Sequence, residues 1–90
     1  MAKRQKKVKS EAFIHFIKAV ELAPNDPEHH LRLGKAYVRA ENPSDAAGSF
    51  QRALDTGARN ANTYTSLAIA LMNSDDAQGA VRNFEQALEN

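Results

Sequence analysis

The sequence predicts an all-α fold of five helices, arranged as antiparallel helix-turn-helix repeats stacked side by side. Three observations predict it. A pattern of small and large apolar residues recurs every 34 residues. Within each recurrence the spacing is helical. Proline, glycine and capping residues punctuate the chain between the recurrences.

The recurrence is read by sliding the chain against itself. Leu33 falls on Leu67, Gly34 on Ala68, Tyr37 on Leu71, Ala46 on Ala80, Phe50 on Phe84, Ala53 on Ala87 and Leu54 on Leu88. In the other direction Ala46, Phe50, Ala53 and Leu54 fall on Ala12, Phe16, Ala19 and Val20. Ala46, Phe50, Ala53 and Leu54 step by 4, 3 and 1, which lines one stripe of a helix. Leu33, Gly34 and Tyr37 form the matching stripe of a partner helix. Small residues beside large ones suit two closely crossing helices. Gly34 costs roughly 1 kcal/mol of helix propensity, and close backbone approach is the simplest compensation.

The punctuation sets the boundaries. Pro24, Asn25, Asp26 and Pro27 end one helix and start the next, with Asp26 placed to cap and Pro27 in the first turn. Asn42, Pro43 and Ser44 break the chain again. Gly57 ends the following helix, Asn60 caps another, and Asp75 and Asp76 open the last. The expected helices span about 8–22, 27–40, 44–56, 61–73 and 76–89. No stretch alternates with a period of two, so no strand is expected.

These residues resemble the tetratricopeptide repeat (TPR) family. Leu33, Gly34, Tyr37, Ala46, Phe50 and Ala53 match its signature once. Leu67, Ala68, Leu71, Ala80, Phe84 and Ala87 match it again, and Ala12, Phe16, Ala19 and Pro24 match its second half. The resemblance implies a right-handed superhelix of stacked helix pairs, a TPR-like α-solenoid. It divides the chain into a basic arm (1–10), half a repeat (11–26), a full repeat (27–60) and a shorter one (61–90). His30 stands where the family has an early aromatic, which Tyr64 supplies in the next repeat, and Ala58 replaces a proline between repeats. The related pentatricopeptide family, which binds RNA, lacks this spacing of small and aromatic residues.

In such a stack the first helix of each pair lines the inner face. The resemblance therefore implies a protein-binding module or adaptor that grips a peptide or protein partner in a concave groove. The expected groove residues are Leu31, Arg32, Lys35, Val38 and Arg39 on one helix, and Asn62, Thr65, Ile69, Met72 and Asn73 on the next, with Glu28 and Ser66 beside them. Arg32, Lys35 and Arg39 make a basic stripe at i, i+3 and i+7, which fits an acidic or carboxylate-bearing partner. Arg32 pairing with Glu28 is the competing role for that stripe. Leu31 and Lys35 depart from the family's clamp for chaperone tails, so those tails are not the expected ligand.

Charge supplies the alternatives. Lys3, Arg4, Lys6, Lys7 and Lys9 put +5 into the first nine residues, and the remainder carries −4. That arm could meet nucleic acid or an anionic surface. It carries no interleaved aromatics, which argues against reading bases. A third reading is a self-assembling structural unit. The helix at 8–22 is apolar around much of its girth, and Phe13, Ile14 and Ile17 are the expected self-association surface of a homodimer, unless the chain is a piece of a longer array.

Catalytic and metal chemistry find no foothold. His29 and His30 are adjacent and point about 100° apart on a helix, so they form no metal pair. The four glycines, at 34, 48, 57 and 79, are isolated and make no phosphate loop. No cofactor, catalytic residue or metal ligand is assigned, and no enzyme activity is expected. With no cysteine and no run of about 20 apolar residues, the expectation is a cytoplasmic protein without a membrane span.

Overall fold

The computed structural model describes residues 11–90. Five helices follow one another: α1 (Glu11–Leu22), α2 (Pro27–Arg39), α3 (Pro43–Asp55), α4 (Ala61–Asn73) and α5 (Ala77–Glu89). There is no strand among the described residues. The expected arm, with Lys3, Arg4, Lys6, Lys7 and Lys9, lies outside them.

Local chemistry sets each start. The Asp26 carboxylate accepts the Glu28 N–H at 3.0 Å, and Pro27 follows it in the first turn of α2. The Asn60 side chain accepts the Thr63 N–H at 3.0 Å, and the Asp76 carboxylate accepts the Gly79 N–H at 2.9 Å. The three interior helices end alike. After α2, the Asn42 N–H reaches the Tyr37 carbonyl and the Glu41 N–H reaches Val38; Ala58 to Ala53 with Gly57 to Leu54, and Asp76 to Leu71 with Asp75 to Met72, repeat the pattern. This is the Schellman arrangement, which needs a left-handed residue. Gly57 (φ 123°) supplies it after α3, but Glu41 (φ 61°) and Asp75 (φ 70°) supply it after α2 and α4. Those two acids stand 34 residues apart, so the repeat extends to backbone strain.

Each helix packs on the next, α1 on α2 more lightly than the others. The main core joins Ala46, Ala47, Phe50 and Leu54 of α3 to Leu67 and Ala70 of α4. Phe50 is 2% exposed, and Ala46, Ala53 and Ala68 are fully buried. A Cβ built on Gly34 would lie 2.6 Å from the Phe50 ring, so glycine lets α2 press its backbone onto that ring. The cost in helix propensity is thus offset by packing.

Gly48 is the opposite case. It is exposed within α3, and nothing lies within 4 Å of a Cβ placed there. Gly48→Ala should therefore stabilise the chain by about 1 kcal/mol, read as a higher urea midpoint at unchanged slope.

Two expectations need correcting. Phe13 is buried and meets Tyr37 edge-on, ring centroids 5.0 Å apart and planes at 78°, so it ties α1 to α2 and is not a self-association surface. Ile14 stays exposed and Ile17 half-buried. Leu31 packs against the core cluster and lines none of the groove clefts described below. His30, expected in place of an aromatic, is buried, and its Nε2–H donates to the Pro24 carbonyl at 2.6 Å, fixing the turn into α2.

Candidate functional site: the groove between α2 and α4

α2 and α4 stand on either side of α3, and both turn a stripe of side chains outward on the same face. Three clefts run along it. The first, about 310 Å³, lies between Phe16 of α1 and Arg32, Lys35 and Arg39 of α2. The second, about 300 Å³, is bounded by Lys35, Val38 and Arg39 on one side and Ser66 and Ile69 on the other, with Phe50 at its base. The third, about 410 Å³, continues through Val38 and Ile69 to Glu41, Pro43, Ala70 and Asn73. Lys35 and Arg39 belong to the first two, and Val38 and Ile69 to the last two. The clefts therefore form one continuous groove.

Its walls differ in charge. Arg32 donates from Nε to Glu28 at 3.2 Å, which partly neutralises it. Lys35 and Arg39 have no carboxylate partner among the described residues. α4 carries no charged residue along its whole length. One wall is thus basic and the other neutral, with Val38 and Ile69 exposed at 51% and 44% between them. Glu41 at the far mouth is the groove's acidic side chain.

Of the ten residues expected here, Arg32, Lys35, Val38, Arg39, Ile69 and Asn73 line the clefts together. Asn62 and Met72 are exposed on α4 and Thr65 is half-buried, and none of them lines these three clefts. Sequence reasoning did not place Phe16 in the groove. The signal was available: Phe16 aligns with Phe50, and both line the groove.

A smaller cleft of about 260 Å³ opens where α1, α2 and α3 meet, lined in part by Tyr37, Asp45, Ser49 and Arg52. Burial, and then the nearby Asp45 carboxylate, push the Tyr37 phenol above its ordinary value of 10.0. A raised value favours the neutral phenol in the folded chain. The associated stability is present below pH about 10 and is lost as pH rises through the folded value.

Among the described residues no group of three or more His, Asp or Glu side chains is placed to hold a metal. No described helix is long and apolar enough to cross a membrane.

No family model and no curated protein matches the chain. Solved structures do. MamA AMB-1 superposes with a TM-score of 0.82 at 25% identity, covering 94% of this chain and 49% of that one. MamA MSR-1 superposes with a TM-score of 0.80 at 24% identity, covering 94% and 48%. The chain thus spans about half the length of the MamA chains it matches. With the five paired helices, these likenesses establish the fold as a TPR-like stack of helical repeats.

Proposed function

We propose that this chain is a protein-interaction module whose groove between α2 and α4 binds an extended acidic peptide bearing aliphatic side chains. The observation that carries this reading is the asymmetry of the groove: Lys35 and Arg39, without carboxylate partners among the described residues, face a charge-free apolar helix across continuous clefts. Arg39 matches a carboxylate with two parallel N–H donors, and Lys35 offers a compact point charge. Val38 and Ile69 supply the apolar anchoring that usually dominates affinity. The TPR-like fold supports a role in binding or assembly.

The arm is the rival partner for an acidic ligand, and the two separate by truncation. A fluorescently labelled peptide of alternating glutamate and leucine should bind the intact chain and the chain lacking residues 1–9 with similar affinity, read by anisotropy. Binding that vanishes with the arm would transfer the function to Lys3, Arg4, Lys6, Lys7 and Lys9 and refute the groove reading.

A further inference from the structure

Packing does not account for Gly48. Gly34 loses helix propensity and regains it by close approach to Phe50, whereas Gly48 is exposed inside α3 and a Cβ there would meet nothing within 4 Å. At the same position of the other repeats stand Ile14 and Arg82, two long exposed side chains. The glycine instead opens the cleft of about 260 Å³ where α1, α2 and α3 meet, which it lines beside Ser49. A glycine inside a helix that packing does not explain points to function.

Ser49 is a second, independent sign. It is 7% exposed, it lines the cleft, and its hydroxyl has no hydrogen-bond partner among the described residues. Asn83, its counterpart on α5, donates to the Gly79 carbonyl at 2.9 Å. The hydroxyls of Thr56 and Ser74 likewise donate to carbonyls one turn earlier. A buried hydroxyl without such a partner calls for one from outside the chain.

We propose that this cleft binds a small zwitterion, an α-amino acid with an aliphatic side chain. Its two charges define the ligand. Arg52 lines the cleft and has no carboxylate partner among the described residues. Asp45 lines it too, with one carboxylate oxygen held by the Asn42 amide at 2.8 Å. The two stand two turns apart on α3, about 10 Å along its axis, and do not pair with each other. The guanidinium takes the carboxylate and the remaining Asp45 oxygen takes the ammonium, with the long Arg52 side chain closing the span. Ser49 and the neutral Tyr37 phenol supply hydrogen bonds, and Val20 and Leu33 supply hydrocarbon for the aliphatic group. A lone anion would meet repulsion from Asp45, and a lone cation repulsion from Arg52. The cleft shares no residue with the groove, and either site can fail alone.

The test titrates L-leucine into the intact, isotope-labelled chain to about 10 mM. Amide chemical shifts should move saturably at Gly48, Ser49 and Arg52 while Lys35 and Arg39 stay in place. Leucine amide, which lacks the carboxylate, and N-acetyl-leucine, which lacks the ammonium, should each bind at least about 10-fold more weakly. Gly48→Leu, made where there is open space, should stay folded by far-UV circular dichroism and weaken binding at least about 10-fold by filling the cleft. Arg52→Gln, at an exposed position, should do the same by removing the charge. The proposal is overturned by the absence of a saturable response, by an equal response to either blocked form, or by binding that survives both substitutions. Shifts at Lys35 and Arg39 in place of Gly48 and Ser49 would also overturn it, by moving the amino acid to the groove.

Discussion

Phe50→Ala should cost about 3–5 kcal/mol and leave much of the chain unfolded at room temperature. The ring is 2% exposed and lies at the junction of three helices: it belongs to the α3–α4 cluster and is the surface onto which α2 presses Gly34. Truncation leaves a void that Gly34, having no side chain, does nothing to fill. A domain of this size holds a net stability near the lower end of about 5–15 kcal/mol, so one such loss consumes most of it. Far-UV circular dichroism with urea titration checks the expectation. Phe50→Leu retains more of the volume and should lose about half as much or less. An alanine variant that unfolds at the parent's urea concentration would mean that this ring does not organise the helices.

Lys35→Glu combined with Arg39→Glu should weaken binding of an acidic, leucine-bearing peptide about 100-fold or more, with the helices intact. Reversal removes two attractions and installs two repulsions across the same clefts. Neither side chain has a carboxylate partner among the described residues to lose, so stability should change little. Arg32→Glu should do less to the peptide, because Glu28 already holds that guanidinium, and it sets two acids one turn apart on α2. Affinity of the parent should fall as salt rises but not vanish, since Val38 and Ile69 anchor without charge. Anisotropy across a salt series reads both effects.

Much of the fold was legible in the sequence because the information is repeated. Small and aromatic positions at a fixed 34-residue period define the helix pairs, and Pro27, Pro43 and Asn60 define where they start. The helices begin and end within one residue of expectation from 27 onward. The left-handed turn residues Glu41 and Asp75 were not legible, since an acid there carries none of the signal that Gly57 does. Nor was the burial of Phe13. α1 offers Phe13, Ile14, Phe16 and Ile17 around much of its surface, and helical periodicity does not say which side meets a neighbour. The Tyr37 ring decides it. Along the groove, residue types were legible but depth was not. Leu31 and Lys35 are one turn apart on α2, yet Leu31 packs on the core and Lys35 lines the clefts.

The recognition claim is tested most directly by mapping amide chemical shifts of the intact chain during titration with the glutamate–leucine peptide. Perturbations should concentrate at Lys35, Val38 and Arg39 on one helix and at Ser66 and Ile69 on the other. A peptide that binds while those five amides stay still, or that does not bind at all, would contradict it.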